Sequence, residues 1–413
     1  MLMKVLLVNT SESAGGAAIA CSRIMTALRK EGVDATMMVI NPEGRHEGVV
    51  PTGSFLRKKW CFLWERIVIW ISNGLSRKNL FKVSAANAGL DITKTREFRE
   101  ADIINLHWVN QGMLSLKVIG RILRSGKRVV WTMHDMWPCT GICHHSYECE
   151  RYQSACCNCR FLRFPGRNDL SSRVFRRKQK MFAGAGNLSF AAVSNWLAER
   201  ARHSALVGRF PVHVIPNVLS LERFEIIDRA EARKALGVDE RFVVAFGAAR
   251  IDDPIKGFSY LSEALSLLVG SGRIPKEDIR LLVFGRVRDA GILENLPVPC
   301  SYLGYIDDTC SLSQVYSAAN ATVSSSLYET FGQTLIEAMA CGSIPVSFDG
   351  SGQTDIITHL KDGFLARRLS SESLAEGIAW ALDSHIAAAD LRRSVIDRYS
   401  ESIVARQYIS IFK

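Results

Sequence analysis

The chain has 413 residues, of which 47% are apolar and 23% charged, and its formal net charge is +11. This length and composition are typical of a globular protein with two domains and exclude a disordered or fibrous chain. No apolar run is long enough for a membrane helix, and the opening MLMKVLLVNTSESAGG predicts a short strand instead of a secretory leader. We therefore expect a cytoplasmic protein with an anionic partner, although charge alone does not identify the anion.

Strand patterns alternate with helix patterns along the whole chain. This alternation indicates βαβ units with parallel strands that are buried on both faces. A helix is predicted from about Ala17 to Arg29, and the turn residues of Pro216–Phe224 predict a linker between two doubly wound sheets. The predicted strands are KVLLVN, DATMMVI, ADIINLHW, RVVWTMH, LSFAAVS and PVHVIPN in the first set, and RFVVAFGAAR, DIRLLVFGR, CSYLGYI, ATVSSSL and SIPVSF in the second.

Polar residues and glycines follow several of these strands. In open α/β sheets the ligand binds beyond the carboxyl ends of the strands, so these residues are candidates for a cleft distributed over both domains. The set consists of Gly15, Gly16, His107, His134, Arg250 and Glu329.

Two of these segments carry features that suit phosphate groups. SAGGAAIA opens a helix, where backbone N–H groups and the helix dipole favour an anion, although a plain tight turn explains the glycines equally well. In RIDDPIKG, Arg250 and Lys256 flank a turn after a strand, where two cations can neutralise a diphosphate. The alternative is a basic turn that is simply exposed to solvent.

Residues 324–347, SSSLYETFGQTLIEAMACGSIPVS, place two glutamates on either side of a glycine loop. With a helix from about Thr334, the amides of residues 330–334 would point to an anion, and Glu337 would reach a pair of hydroxyls, which carboxylates bind well. Each glutamate also has an interpretation that needs no ligand. Thr334 and Glu337 fit a capping box, and Glu329 fits an exposed acid in a loop.

Together these segments resemble the retaining glycosyltransferases of family 4. The resemblance rests on ETFGQTLIE with EAMACGSIPV after it, on RIDDPIKG, on the early AGG and on IPN, and it extends over essentially the whole chain. It implies the GT-B fold, in which two Rossmann-like domains face each other across a cleft. The domains would be residues 1–218 and 219–392, with a C-terminal helix of about 393–413 that packs back on the first. HDMWPCTGICHHSYECERYQSACCNC is similar to bacterial members that build surface polysaccharide, exopolysaccharide or lipopolysaccharide.

The resemblance also implies roles for individual residues. Glu337 would bind the ribose of a UDP- or GDP-sugar, and Glu329 would hold hydroxyls of the donor sugar. Arg250 and Lys256 would bind the diphosphate, and His134 would lie near the donor sugar and the phosphate. The nucleotide-binding positions would be Gly15, Gly16, Phe331, Gly332, Gln333, Thr334 and Glu337.

The reaction that the resemblance implies keeps the anomeric configuration. The diphosphate leaves while positive charge develops on the sugar, so cations and amides at the leaving oxygens stabilise the transition state, and the departing phosphate takes the proton of the acceptor hydroxyl. No metal or other cofactor is expected for catalysis, since the sequence has no D-x-D motif in a suitable loop. The acceptor would be a glycan or a lipid-linked saccharide, and His107 is a candidate either for the acceptor side or for packing.

Eleven cysteines are an odd number, which argues against a complete disulfide framework. Cys143, Cys149, Cys156 and Cys159 have the spacing C-x5-C-x6-C-x2-C, and sequences that this chain resembles carry the same four. A tetrahedral structural zinc is one interpretation, and disulfides or unpaired thiols are the other.

Residues 55–82, FLRKKWCFLWERIVIWISNGLSRKNLFK, combine seven cations, one acid and three tryptophans. One interpretation is an interfacial helix whose apolar face enters lipid headgroups while its basic residues meet anionic lipid. The protein would then be peripheral on the inner face of the membrane. The other interpretation is a helix whose aromatic face is buried against the N-terminal sheet.

Two other function classes compete with sugar transfer. A zinc-containing nucleic-acid-binding protein fits the charge and the cysteines but leaves the two glutamates and the strand-end histidine without a role, so nucleic acid is not the expected partner. A GT-B protein that binds nucleotide without catalysis fits the same motifs. Loss of transfer in Glu329→Gln with retained binding would distinguish an enzyme from it.

Overall fold

The computed structural model describes residues 2–413, which form two compact units. The chain enters the second unit at Leu219 and returns to the first at Val404, inside the last helix. This return comes later than residue 393, where the resemblance placed it. Unit 1 comprises the residues up to Val218 together with Val404–Lys413, and unit 2 comprises Leu219–Ile403.

Unit 1 is built on seven parallel strands with helices between them. The strands are β1 (Lys4–Val8), β2 (Asp34–Val39), β3 (Val49–Pro51), β4 (Ile103–Leu106), β5 (Arg128–Met133), β6 (Leu188–Ala192) and β7 (Val212–Val214). Their order in the sheet is β3-β2-β1-β4-β5-β6-β7. The helices are α1 (Gly16–Lys30), α2 (Phe55–Ser72), α3 (Arg96–Glu100), α4 (Leu116–Leu123), α5 (Leu170–Phe182) and α6 (Asn195–Arg202).

Unit 2 is built on six parallel strands in the same manner. The strands are β8 (Phe242–Arg250), β9 (Ile279–Arg286), β10 (Cys300–Tyr302), β11 (Ala321–Ser324), β12 (Ile344–Phe348) and β13 (Phe364–Ala366). Their order is β10-β9-β8-β11-β12-β13. The helices are α7 (Arg229–Leu236), α8 (Phe258–Gly270), α9 (Thr309–Ala318), α10 (Gln333–Ala340), α11 (Ser371–Asp383) and α12 (Ala388–Tyr399), and α13 (Glu401–Phe412) carries the chain back to unit 1.

The two doubly wound parallel sheets confirm the predicted fold class, and all eleven predicted strands are present. The continuous apolar runs explain this, because strands such as β4, in which every residue is buried, must be covered by helices on both faces. The edge strands β3 and β13 were not predicted, since three residues are too few to show a pattern. In unit 1, α13 adds Tyr408 and Phe412 to the core that α1 forms with the sheet. Among residues 2–413, every helix is either too short or too polar to span a bilayer.

Each sheet has one point at which the strand order reverses. It lies between β1 and β4 in unit 1 and between β8 and β11 in unit 2. Open α/β sheets bind ligands outside the carboxyl ends of the strands at this switch point. Residues that follow these four strands are therefore the first candidates for a functional site.

Candidate functional site

Unit 2 brings Lys256 and Glu329 into direct contact. Lys256 follows β8 and Glu329 follows β11, the two strands at the switch point of this sheet. The Lys256 Nζ ammonium donates a hydrogen bond to Glu329 Oε2 at 2.8 Å, and the two side chains are only 28% and 23% exposed. The fold thus joins two predicted site residues that lie far apart in the sequence into one charged pair.

This pair keeps Lys256 charged. Burial alone would lower the pKa of Lys256, but the charge and hydrogen bond of Glu329, together with the charge of Asp253, raise the pKa above its ordinary value. An ammonium group has three N–H donors. The contact with Glu329 uses one of them, so Lys256 also has donors that suit phosphate oxygens.

Backbone contacts hold the Lys256 turn against the Glu329 loop. The amide of Leu327 donates to the carbonyl of Ile255 at 2.8 Å, and Ser325 Oγ donates to the carbonyl of Gly257, also at 2.8 Å. Gly257 has a φ of 64°, and a Cβ atom at this position would lie 2.0 Å from the carbonyl oxygen of Ser325. Glycine is therefore needed at the end of RIDDPIKG both for its conformation and for the close approach of the loop.

Arg250 ends β8 as predicted, but its guanidinium faces two acids of its own turn. Nε lies 3.5 Å from Asp252 Oδ1, and a terminal nitrogen lies 3.2 Å from Asp253 Oδ2. A diphosphate would compete with these carboxylates for Arg250. Arg286 ends the neighbouring strand β9 in register with Arg250, and its guanidinium lies 4.3 Å from the ring centre of Tyr305. Arg286 was not predicted from the sequence, although the strand-end rule applied to DIRLLVFGR would have found it.

The helix α10 begins at Gln333, and its N-cap is Gly332 with a φ of 111°. Thr334 therefore lies inside the first turn and not at the cap, so the capping-box interpretation of Glu337 is wrong. Glu337 is buried and accepts a hydrogen bond from the hydroxyl of Tyr316 at 3.3 Å. Its position in the core side of α10 needs an explanation other than helix capping.

The loop before α10 is fixed by its side chains. The ring of Phe331 is buried and packs edge-on against Tyr399, with ring centres 5.7 Å apart. Only the backbone of Phe331 can therefore make the predicted nucleotide contact. Gln353 Nε2 donates to the carbonyls of Ser326 and Phe348 and ties the same loop to the end of β12. The N-terminus of α10, which favours an anion, thus follows directly on the loop of Glu329.

In unit 1 the glycine loop opens α1 as predicted. Gly15 is the N-cap with a φ of 89°, and Gly16 is the first helical residue. Just before this loop, the buried carboxylate of Glu12 accepts hydrogen bonds from the backbone amides of residues 43–46 at 2.5 to 3.1 Å. Burial opposes ionisation, but these bonds outweigh it and lower the pKa of Glu12. Glu12 was not predicted from the sequence, because nothing in the local pattern distinguishes it from an exposed loop acid.

His107 and His134 follow the neighbouring strands β4 and β5 and are hydrogen-bonded to each other. His107 Nδ1 lies 2.9 Å from His134 Nε2, and His107 Nε2 lies 2.9 Å from Asn105 Oδ1. Asn105 donates its amide hydrogens to Val130 O and Thr132 Oγ1, so its Oδ1 accepts and His107 Nε2 donates. In a neutral ring His107 Nδ1 then accepts the hydrogen of His134 Nε2. The chain of bonds leaves Nδ1 as the unprotonated nitrogen of His134.

Both imidazoles are neutral at neutral pH. Burial lowers the pKa of His134 to about 4, although the charge of Asp135 opposes the shift. Burial, and to a smaller extent His134, hold the pKa of His107 well below its usual range. Asp135 is itself held by Trp108 Nε1 at 2.8 Å and by His144 Nδ1 at 2.6 Å. His134 is therefore an oriented neutral group that can form a hydrogen bond but brings no positive charge.

Both parts of the chain match models of glycosyltransferase families. Residues 14–223, slightly more than half of the chain, match the model described as Glycosyltransferase Family 4. Residues 228–398 match the model described as Glycosyl transferases group 1. The chain belongs to glycosyltransferase family 4. The family that the motifs predicted is thereby confirmed.

Curated relatives of this family 4 protein have the names of different enzymes. It is 28% identical over 213 residues to a phosphatidyl-myo-inositol mannosyltransferase of Mycobacterium tuberculosis. The matched region covers 48% of this chain and 53% of the relative. It is 30% identical over 177 residues to a mannosylfructose-phosphate synthase of Agrobacterium fabrum. Here the matched region covers 40% of this chain and 38% of the relative. The chain thus spans about half the length, or less, of these curated relatives.

Solved structures match the family 4 protein over nearly its whole length. The sucrose-phosphate synthase of Thermosynechococcus elongatus has a TM-score of 0.68 at 20% identity and covers 99% of this chain and 98% of its own. Anabaena HepE in complex with UDP and glucose has a TM-score of 0.65 at 16% identity, with the same coverage. At this level of identity the match supports the fold, which is that of the GT-B glycosyltransferases.

The four cysteines of the family 4 protein's loop lie near one another as free thiols. Burial and the neighbouring thiols raise the pKa of Cys143, and burial raises the pKa of Cys156 to about 12 and of Cys159 to about 11. Cys149 acts on the ionisation of all three. In residues 2–413, however, no three His, Cys, Asp or Glu side chains are close enough together to hold one metal ion. As arranged, the loop is a cluster of neighbouring thiols that do not meet at one centre.

The side chain of Lys178 from α5 is fully buried under this loop. Its ammonium donates to the carbonyls of Trp137 and Thr140 at 2.5 and 3.0 Å and lies 3.4 Å from the centre of a Trp137 ring. Burial lowers the pKa of Lys178 to about 7, while the surrounding cysteines, first among them Cys156, oppose the shift. Lys178 therefore anchors the start of the loop that follows His134.

Proposed function

We propose that this family 4 protein is a retaining glycosyltransferase. It moves a sugar from a nucleotide-diphosphate sugar to a hydroxyl of a glycan or a lipid-linked saccharide, and it needs no divalent metal. The observation that carries the proposal is the Lys256–Glu329 pair beside the N-terminus of α10 at the switch point of unit 2. A cation and a helix N-terminus suit a diphosphate, and a carboxylate suits sugar hydroxyls.

In this proposal Glu329 and Glu337 bind different parts of the donor. Glu329, held by Lys256, binds hydroxyls of the transferred sugar next to the diphosphate. Glu337 lies five residues after the cap of α10 in a buried position, where it binds the ribose hydroxyls. A UDP-sugar is the proposed donor, with a GDP-sugar as the alternative. Support comes from the structural neighbour HepE, which was solved in complexes with UDP and with UDP-glucose.

The proposed mechanism uses charge at the leaving group. The bond between the anomeric carbon and the phosphate oxygen breaks, and negative charge grows on the diphosphate as positive charge grows on the sugar. Lys256 and Arg250 stabilise the diphosphate, and the departing phosphate accepts the proton of the acceptor hydroxyl as its oxygen bonds to the same face of the sugar. The family resemblance assigns His134 to the donor sugar. Its neutral, oriented ring suits a hydrogen bond and not charge compensation.

The proposed acceptor belongs to the synthesis of surface polysaccharide, exopolysaccharide or lipopolysaccharide on the cytoplasmic side of a membrane. The segment from His134 to Cys159 supports this class, because it is similar to bacterial family members of that type. A relative that acts on phosphatidyl-myo-inositol supports an acceptor attached to lipid.

A structural zinc held by Cys143, Cys149, Cys156 and Cys159 also stays a proposal. Its support is the donor set, four thiols within one loop that affect one another's ionisation. Zinc binding would require the loop to contract, because the thiols as arranged do not share one centre. No catalytic step depends on this site.

The proposed transfer can be tested without knowledge of the acceptor. Purified protein is incubated with UDP-, GDP- and ADP-sugars, and release of the nucleoside diphosphate is followed with and without EDTA. We expect slow release from one class of donor, unaffected by EDTA, and a loss of roughly a hundredfold in Lys256→Met. Lys276→Met, which removes an exposed lysine of unit 2, serves as the control.

Three outcomes of this experiment would argue against the proposal. Binding of a donor without any release, also in the presence of bacterial lipid extract as acceptor, would indicate a protein that binds nucleotide without catalysis. Loss of release in EDTA would contradict metal independence. A transferred product with inverted anomeric configuration, read from the proton coupling at the anomeric carbon, would contradict retention.

A further inference from the structure

The helix α2 exposes its apolar face to solvent and buries charged residues on the opposite face. Six large apolar residues at helical spacing share one face of α2, and all of them are exposed. Trp60 and Trp64 are stacked on this face with ring centres 5.6 Å apart. The exposed fractions are 77% for Leu56, 60% for Trp60, 43% for Leu63, 40% for Trp64, 38% for Ile67 and 58% for Ile71.

The opposite face of α2 buries an ion pair. Glu65 is completely buried, and its Oε2 lies 3.1 Å from a guanidinium nitrogen of Arg66. Glu65 Oε1 accepts the backbone amide of Ala86 at 2.9 Å, and Arg66 donates to the carbonyl of Leu80 at 2.5 Å. These bonds fix α2 to the segment that follows it and leave its tryptophan face outward. The structure therefore excludes the interpretation in which the aromatic face of α2 packs against the sheet.

An exposed apolar stripe of this size needs an occupant, because water contact with two tryptophans and four aliphatic side chains is unfavourable. We call the apolar face of α2 the tryptophan face.

The charges around the tryptophan face decide between the candidate occupants. Residues 55–82 carry seven cations and one acid, and this acid, Glu65, forms an ion pair with Arg66 of the same segment. On the helix, Arg57 and Lys59 flank the stripe on its two sides, and both are exposed. Two copies of so basic a face would repel each other, whereas an anionic surface would be attracted. The exposed cations of the segment are Arg57, Lys59, Arg77, Lys78 and Lys82.

We propose that the tryptophan face docks this protein on an anionic lipid bilayer. The two tryptophans and their aliphatic neighbours enter the headgroup region, where indole rings are favoured, and the flanking cations contact lipid phosphates. The buried Glu65–Arg66 pair keeps the face outward and so acts as the positioning element. The inference does not depend on the proposed sugar transfer, although it would place a membrane enzyme next to a lipid-linked acceptor.

The test is cosedimentation of the full chain with vesicles, without any donor or acceptor. Vesicles of phosphatidylglycerol and phosphatidylcholine are compared with vesicles of phosphatidylcholine alone. We expect binding to the anionic vesicles that weakens with added salt. Trp60→Ala with Trp64→Ala, and separately Arg57→Glu with Lys59→Glu, should each reduce the partition coefficient by roughly tenfold or more.

Matched controls lie in unit 2. Lys234→Glu with Lys276→Glu produces the same change in net charge at exposed positions, and Leu267→Ala with Leu360→Ala removes exposed apolar side chains. Both control variants should bind anionic vesicles within about twofold of the unaltered protein. Because every substituted side chain is exposed, thermal unfolding of all variants should be unchanged.

Two results would overturn the proposal. One is equal binding of the unaltered protein and the Trp60/Trp64 variant to anionic vesicles. The other is a dimer in sedimentation velocity that the tryptophan substitutions dissociate, because the tryptophan face would then be covered by a second copy of the chain. A variant that loses vesicle binding and also unfolds early is replaced by Trp60→Ser alone, which should lower vesicle binding by roughly threefold.

Discussion

Acidification from about pH 7 to about pH 5 should destabilise unit 1 through His134. The pKa of this histidine falls from 6.5 in the unfolded chain to about 4 in the folded protein because the ring is buried. The unfolded state therefore binds the proton first, and the stabilisation is complete above about pH 6.5 and lost as the pH falls toward the folded pKa. At about pH 5 this shift corresponds to roughly 2 kcal/mol for His134 alone. His107, whose pKa is also lowered, adds to the loss.

Urea unfolding at the two pH values measures this effect. The unaltered protein should lose stability between about pH 7 and pH 5, and His134→Gln should lose roughly 2 kcal/mol less over the same interval. His385→Gln removes an exposed histidine of unit 2 and should leave the pH dependence as it is. Tryptophan fluorescence is a suitable signal for unit 1, because Trp131 and Trp137 are buried beside the two histidines.

A titration of the imidazole resonances tests the same reasoning at the level of single residues. The resonance that disappears in His134→Gln should not titrate above about pH 5, and its nitrogen shifts should show hydrogen on Nε2. A pKa of about 6 or higher for His134 would refute the assignment of a buried neutral ring. Hydrogen on Nδ1 would refute the bonding order from Asn105 through His107 to His134.

Three further results are expected from the structure. Gly257→Ala should lower the melting temperature by several degrees more than Gly237→Ala, because both positions have a φ of 64° but only at Gly257 would the Cβ meet a carbonyl oxygen; equal effects would contradict the close approach. Glu12→Gln should lower the free energy of unfolding in urea by about 1 to 3 kcal/mol, since an amide donor would face backbone amides. An unchanged free energy of unfolding would contradict a stabilising role of these hydrogen bonds. Metal analysis should give close to one zinc per chain; below a tenth of an equivalent the zinc proposal fails.

The fold could be predicted from the sequence because its signals are local and repeated. Each predicted strand corresponds to a continuous apolar run between two helix patterns. A run such as that of β5 can be buried only in a sheet that helices cover on both faces. The strand-end rule then gave Arg250, Glu329 and His134 as candidates, and the basic turn RIDDPIKG added Lys256. The pairing of Lys256 with Glu329 was beyond local patterns, because it depends on β8 and β11 lying side by side.

Other features could not be predicted because they depend on contacts between distant segments. Glu12 looks like a surface acid until residues 43–46 fold over it. The capping-box interpretation of Glu337 placed Thr334 at the helix cap, whereas the structure places Gly332 there in a left-handed conformation. The face that α2 exposes depends on the burial of Glu65 and Arg66, and an amphipathic pattern would place these two charged residues outside.

The central claim is that unit 2 binds a nucleotide sugar, and a thermal-shift panel of UDP, GDP, ADP and their common sugar conjugates tests it most directly. A ligand that binds only the folded state raises the melting temperature as its concentration rises. We expect such a shift for one nucleotide, retained in the control Lys276→Met and abolished in Glu337→Ala. No shift for any of these ligands, or an undiminished shift in Glu337→Ala, would contradict it.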